Sequence, residues 1–494
     1  MSSTVTAVIV TDTGSLSSSD RTFASAVSSG FDVVCISRVE GASIAALVEA
    51  AISGSASDYV AIVESDGWLA EGAGAVIRTF LDNHPDADVL YADGAVLGPR
   101  GRFKNVMRPD HSPERLRCQF YWGDLVIYRR SLFDALGGLD ASVPQAELYD
   151  IALRSTVVSS SIEHISQPLF IRPVLEERPL SQLALETTRH VLERHLAATG
   201  GGVVLAVGAD GVHDTRRLVR GTPLISIVIP SRGIHSEVNG ERRCYVLDAA
   251  RSIMDRSSYR NIEIVVVLDS VAEPEVISDL TEIVGEQLRI IEWAKPFNFS
   301  EKVNEGVLHS RGEFVLLLND DVQVIQSDWL ESLLALAQLP GAGMSGGLLY
   351  YEDDTIQHAG HGYFKGDASH IGLDAPSSDP GPLNGYRVER EVSGVTAACA
   401  MMPRSVFLEV GGLSNLLPGN FNDVDLCMKV TWRGYSIYWT PHAKLYHFES
   451  KTRDASVHAF EVDVAWGRWG FRMHDPRYWP YPHTRPPVPR RRAP

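Results

Sequence analysis

The chain has 494 residues, 44% hydrophobic and 22% charged, enough for two or three globular domains. Its formal net charge of −17 excludes a general nucleic-acid binder, because no basic domain offsets it. The cysteines Cys35, Cys118, Cys244, Cys399 and Cys427 are odd in number, widely spaced and without a CxxC pair, which excludes a disulfide framework or a zinc site and fits a reducing cytoplasm.

The first residues, MSSTVTAVIV, lack a basic n-region and read as a strand rather than a signal peptide. No stretch approaches the ~20 apolar residues that cross a bilayer. Val5 to Val10 is a buried strand, Ser43 to Ile52 a helix, Tyr59 to Val63 a second strand and Gly72 to Leu81 a second helix, the alternation of a parallel α/β sheet. The second strand ends in Glu64, Ser65 and Asp66. Val89 to Ala92, a turn at Gly98 to Gly101, and YRRSLFDALGGLD (Tyr128 to Asp140) follow. The helical run Leu183 to Leu196 and the glycines Gly200 to Gly202 lead to Pro223, which opens a second unit.

In that second unit Leu224 to Ile229 and Ile262 to Leu268 are strands, and Phe314 to Val324 (FVLLLNDDVQV) is the stretch around which the chain is organised. Five apolar residues run without alternation and stop at Asn319, Asp320 and Asp321, the pattern of a strand buried on both faces that ends in carboxylates. In an open α/β sheet ligands bind beyond the carboxyl ends of the strands. Adjacent carboxylates favour a hard cation such as Mg²⁺ or Mn²⁺, and with it a metal diphosphate. A polar turn after a core strand would look the same.

The two units repeat one another. MPRSVFLEVGGLS (Met402 to Ser414) matches YRRSLFDALGGLD, with Arg404 over Arg130 and Gly411, Gly412 over Gly137, Gly138. FNDVDLCMKV (Phe421 to Val430) falls over AELYDIALR (Ala146 to Arg154). Val424, Cys427, Met428 and Thr431 recur at helical spacing, so a helix runs from near Asn422 to Gly434 with Asp423 in its first turn. Acids there complement the helix dipole whatever else they do.

PLISIVIPSRG, EIVVVLDS, PFNFSEKVNEGV, NDD, IQHAG, SGVTAAC, NDVDLC and YHFES, spread over residues 223 to about 453, resemble the bacterial family 2 glycosyltransferases of the GT-A fold, among them rhamnosyl- and galactofuranosyl-type transferases of cell-surface glycans. The resemblance implies two tandem α/β GT-A domains with Rossmann-like, mostly parallel sheets: a degenerate copy at 1–195, a connector at 196–222, a catalytic copy at 223–453, and a helical extension with a Pro/Arg-rich tail at 454–494. It implies inverting, metal-dependent transfer from a nucleotide-diphosphate sugar to a glycan, lipid-linked or protein hydroxyl. Such a transfer needs one cation for the leaving diphosphate and one base for the acceptor proton.

By resemblance Asp423 is the base, and Asp321 and His447 hold Mn²⁺ or Mg²⁺. Pro230, Ser231, Arg232, Asp269, Lys302, Asn319 and Asp320 line the nucleotide-sugar site; Lys302 is placed equally well as a solvated helix residue. On the acceptor side stand Trp329, His358, His361 and Asp425, beside the long Gly- and Pro-rich loop from Gly366 to Gly385. In the first unit Leu148 falls over Asp423 and Ile171 over His447, which implies a non-catalytic copy. The tail from His483 to Pro494 is Pro- and Arg-rich and suits a peripheral contact with anionic lipid at the inner face of the membrane. The other class open to this sequence is a non-catalytic scaffold that binds glycans or nucleotide sugars.

Overall fold

The computed structural model describes residues 3–12, 16–38, 43–174, 179–238, 241–448 and 456–481. The chain forms two compact α/β units, 1–216 and 217–494. In the first, the strands Asp32–Arg38, Val5–Asp12, Tyr59–Glu64, Leu125–Arg129, Val89–Leu97, Ile162–Pro173 and Trp68–Leu69 lie in that order across one sheet. The first three are parallel, and Leu125–Arg129 runs antiparallel to both its neighbours. Val89–Leu97 and Ile162–Pro173 are parallel, and Trp68–Leu69 closes the edge antiparallel.

In the second unit Ile262–Asp269, Ile225–Ser231, Phe314–Leu318, Cys399–Pro403, Ala342–Tyr350, Ser436–His447 and Val322–Val324 follow one another with the same succession of parallel and antiparallel pairings. This unit adds Leu288–Trp293 beyond Ile262–Asp269, and Thr355–His358 at the end of Ala342–Tyr350.

The apolar run Phe314–Leu318 fails to alternate because it separates two cores. Leu316 and Leu318 pack into one, Val315 and Leu317 into the other. Helix Phe299–Leu308 lies hard against this sheet because Gly306 has no side chain: a Cβ there would come within 2.4 Å of Val228 Cγ1. One turn earlier on the same face stands Lys302, which is thereby carried inward to the carboxyl ends of the strands.

One sequence expectation changes. The connector 196–222 is largely built into the first unit, where Gly202–Val207 and His213–Arg217 form a hairpin. Buried Arg117 donates to Thr215 O at 2.9 Å, and His213 N donates to Cys118 O at 2.8 Å, which fastens it. Pro441 lies within one strand, Ser436–His447. Its register against Ala342–Tyr350 jumps from Gly346↔Trp439 to Leu348↔Lys444, so the proline sits in a bulge. The end of YHFES and the Pro/Arg-rich tail lie outside the described residues. Among the described residues no helix is long and apolar enough to cross a membrane.

Candidate active site

Strand Val322–Val324 pairs antiparallel with the end of Ser436–His447, setting Val322 opposite His447, and Phe448 N donates to Asp321 O at 2.9 Å. That short ladder brings residues far apart in sequence side by side: His447 Nε2 lies 3.1 Å from Asp321 Oδ1. Gln357 Oε1 accepts from His447 Nδ1–H at 2.6 Å. This contact fixes the tautomer, so Nε2 carries a lone pair aimed at the carboxylate, held meanwhile by Asn319 Nδ2 at 2.9 Å. An imidazole lone pair and a carboxylate oxygen in contact suit a shared cation. The donor set, oxygen-rich with one imidazole, fits Mn²⁺ or Mg²⁺.

Asp320, behind Asp321, accepts from Ser231 Oγ at 2.6 Å. Burial, and then the charge of Asp321, push its carboxyl up to about 7. Lys302 is 1% exposed and its ammonium is pinned, donating to Ser231 O at 2.8 Å and Asp269 Oδ1 at 2.7 Å. Burial lowers its pKa despite the Asp269 partner. It is therefore an internal strut linking two strand ends and not a solvated helix lysine. Pro230, Ser231, exposed Arg232, Phe297, Phe299, Lys302, Asn319, Asp320 and Asp321 line one pocket. Asp269 reaches it through Lys302.

A second cleft of about 490 Å³ shares Phe299 and Asn319 with that pocket. His361, His370, Asp423 and His447 open into it. Asp423 lies in the first turn of helix Asn422–Trp432, whose N-cap is Phe421 with φ 57°, a left-handed conformation uncommon for a bulky residue. Val424 N donates to Asp423 Oδ1 at 2.8 Å and Ala397 N to Oδ2 at 3.4 Å. Burial raises the Asp423 pKa, but His361, His370, the Thr396 side chain and Val424 N outweigh it, and the carboxyl is held below its ordinary value.

Three acceptor-side expectations are corrected. Trp329 is fully buried, with Nε1 donating to Ser257 Oγ at 3.0 Å; helix Trp329–Ala337 begins there and turns the indole into the core. Asp425, two residues past Asp423, points into the protein, where it pairs with Lys429 at 2.8 Å and Arg468 at 3.0 Å and accepts from Trp469 Nε1 at 2.8 Å. His358 is buried behind His361 and does not line the cleft. Part of the Gly366 to Gly385 loop is regular: Asp367–His370 pairs with His361–Phe364, which puts His370 in the cleft wall.

Sequence reasoning missed Gln357 and Glu461. Gln357 sits inside the IQHAG motif, which was its only signal. Glu461, on helix Ala459–Trp469, is fully buried and holds the loop before Phe421 through Gly419 N at 2.9 Å and Asn420 N at 2.7 Å. Nothing in the sequence marks it.

Such a site, acids and an imidazole at the carboxyl ends of a mixed sheet with an ionised carboxylate across a shared cleft, defines an α/β protein equipped for group transfer. Residues 226–411 match the profile Glycosyl transferase family 2, and this part of the chain is a family 2 glycosyl transferase domain. Asp423 and His447 lie beyond the matched residues. Two curated relatives align with both units: the uncharacterized protein y4gI of Sinorhizobium fredii (strain NBRC 101917 / NGR234), 34% identical over 84% of this chain and 47% of its own length, and the O-antigen biosynthesis protein RfbC of Myxococcus xanthus, 28% identical over 86% of this chain and 34% of its own. The chain thus spans less than half the length of either. Similar solved structures are GalNAc-T7 with UDP, GalNAc and Mn²⁺ (TM-score 0.40, 12% identity, 52% of this chain and 50% of that one) and the mannosyltransferase PcManGT of Pyrobaculum calidifontis with GDP-Man and Mn²⁺ (TM-score 0.35, 12% identity, 52% and 74%).

Proposed function

We propose that the second unit is an inverting, metal-dependent glycosyltransferase and that the first is a non-catalytic copy of the same domain. The observation that carries this reading is that ionised Asp423 opens into the same cleft as His447 and Asn319. A base and a cation site thus face one space. Asp321 and His447 would hold Mn²⁺ or Mg²⁺, which when bound stabilises the leaving diphosphate. The nucleotide lies along Pro230 to Arg232 against Phe297 and Phe299, and the acceptor enters the larger cleft.

Asp423 takes the proton of an acceptor hydroxyl. The oxygen's electron pair then forms the new bond to the anomeric carbon on the face opposite the diphosphate, and the broken bond's pair leaves with the diphosphate. Inversion follows from that in-line geometry. The relative from Myxococcus xanthus, named for O-antigen biosynthesis, favours a glycan or lipid-linked acceptor.

The matching strand orders support a tandem duplication. In the first unit Ile171 sits opposite Trp68, as His447 sits opposite Val322, and Leu148 packs against the apolar core. Neither side chain can bind a metal or take a proton. A scaffold that only binds nucleotide sugars remains the second reading, and turnover separates the two. The full chain, screened with sugar nucleotides and Mn²⁺ for hydrolysis and then with acceptors, should turn over. Asp423→Asn should keep donor affinity and lose about 10² to 10⁴ in rate. Near-normal turnover in that variant would remove Asp423 from the mechanism, and residual transfer abolished by a further Asp66→Ala would show the first unit to be active.

A further inference from the structure

His358, His361 and His370 place one ring nitrogen each within 4.8 Å of the others, a spacing that resembles a metal site. Hydrogen bonding argues otherwise. Thr396 N–H donates to His358 Nε2 at 3.2 Å, so a neutral His358 keeps its proton on Nδ1 and shares it with His370 Nδ1 at 3.2 Å. A cation would need both of those lone pairs, and one is occupied by a proton.

His361 is arranged differently. It is buried at the start of the hairpin His361–Phe364/Asp367–His370, with its backbone N donating to Gly394 O at 2.7 Å. Burial pushes the phenol of Tyr363 well above its usual range, so it stays protonated, and its hydroxyl lies 3.4 Å from His361 Nδ1, placed to donate to that nitrogen. With Tyr363 as donor, the single N–H of the neutral ring sits on Nε2, 3.9 Å from Asp423 Oδ2. Burial also holds His361 down to about 4, so at neutral pH a neutral N–H faces an ionised carboxylate. Gly394 makes the room: a Cβ there would lie 2.6 Å from the Tyr363 hydroxyl and 3.0 Å from His361 Nδ1.

We propose that His361, with its tautomer set by Tyr363 in the space left by Gly394, is the positioning residue of Asp423. Its Nε2–H closes on Asp423 Oδ2 when substrates are bound and fixes the plane of the carboxylate, leaving the cleft-facing lone pair aimed at the acceptor hydroxyl. Catalytic hydrogen bonds of this kind are often long before substrate binds. The proposal rests on the reading of Asp423 as the base.

The test uses the full chain with the donor and acceptor found for it. His361→Ala should lower kcat about 10²-fold, the penalty of a misplaced catalytic group, with both KM values within about twofold. His361→Gln, which can present an amide N–H from a similar position, should recover most of that loss, and Tyr363→Phe should lower kcat in the same sense while keeping the ring's packing. In an Asp423→Asn background His361→Ala should do nothing further, because the group it positions is gone. Unchanged kcat in both His361→Ala and Tyr363→Phe, or an undiminished second loss in the double variant, overturns the proposal. So does stoichiometric zinc binding that His370→Ala abolishes. Normal turnover in Asp423→Asn alone is a different failure, that of the base assignment.

Discussion

Replacing Glu461 should loosen the floor of the cleft that holds Asp423 without touching any proposed reacting group. Its Oε1 accepts from Gly419 N and Asn420 N, at 2.9 and 2.7 Å, and its Oε2 from Asn420 Nδ2 at 3.0 Å and His458 N at 3.3 Å. Burial raises its pKa, yet these donors outweigh burial and keep it ionised. Glu461→Gln keeps one carbonyl oxygen for the two backbone donors and turns an NH₂ group towards the other two. Charged hydrogen bonds contribute about 1.5–3 kcal/mol each, and half-buried Asn420 can recover part of the loss from water, so the loop should open about 2 kcal/mol more easily. At 1.4 kcal/mol per tenfold, amide exchange across residues 415–422 should accelerate about 30-fold. Asp423 follows directly on that loop, so acceptor KM should rise while donor affinity stays put. Wild-type protection in this segment would show that the buried carboxylate does not hold the loop.

Asp321→Ala should abolish Mn²⁺ binding in a titration of the full chain with donor, and Mn²⁺ dependence that survives the change would end the metal assignment. Gln357→Ala, which frees the His447 tautomer, should weaken Mn²⁺ by about 10- to 100-fold and leave the fold intact, read by the same titration. In the first unit, burial holds His213 down to about 4, from an ordinary 6.5. Between those values the unfolded chain binds a proton the folded one refuses, so stability present above pH 6.5 is lost as pH falls towards 4, by about 3 kcal/mol. Amide exchange of residues 202–217 against pH should show that loss, and His213→Phe should flatten it; an unchanged profile would mean that another group titrates.

The strands were legible where one physical reason dominated. An unbroken apolar run such as Phe314–Leu318 has to separate two cores, and the sequence showed the run and the acids that end it. Lys302 was legible in principle: Val303, Gly306 and Val307 share its helix face, and a glycine at i+4 signals close approach to a neighbour. Asp425 could also have been read from Lys429 four residues on, an i,i+4 pair that faces the protein and not the ligand. Trp329 misled because an aromatic residue after an acidic loop looks exposed until a helix begins at it. Glu461 was beyond reach, since its partners are set by tertiary contacts that leave no periodicity in the chain, and Gln357 was marked only by its place inside the IQHAG motif.

The two units part company at one charge. Asp150 and Asp425 both lie buried in the helix that follows the double-glycine turn; each pairs with a cation four residues on, Arg154 at 2.7 Å and Lys429 at 2.8 Å, and with an arginine from a later helix, Arg194 and Arg468. The double-glycine turns have left-handed backbone in both, with φ of 76° and 69° at Gly137 and Gly138 and 78° and 62° at Gly411 and Gly412. The acid that anchors the helix is thus present in each unit, while the acid that would take a proton is present in one. At the strand end the difference is electrostatic. In the first unit Arg172, the residue after Ile171, reaches Asp66 at 3.3 Å and Asp124 at 3.0 Å. Each of these half-exposed pairs stabilises little, about 0–1 kcal/mol. A tethered guanidinium nevertheless supplies the positive charge that, in the second unit, a cation between Asp321 and His447 would supply, and a divalent ion entering beside it would meet like charge. On the proposed reading of the first unit as a non-catalytic copy, no collapse of the fold is required: one arginine pairs with the carboxylates while the sheet that carries them stays intact.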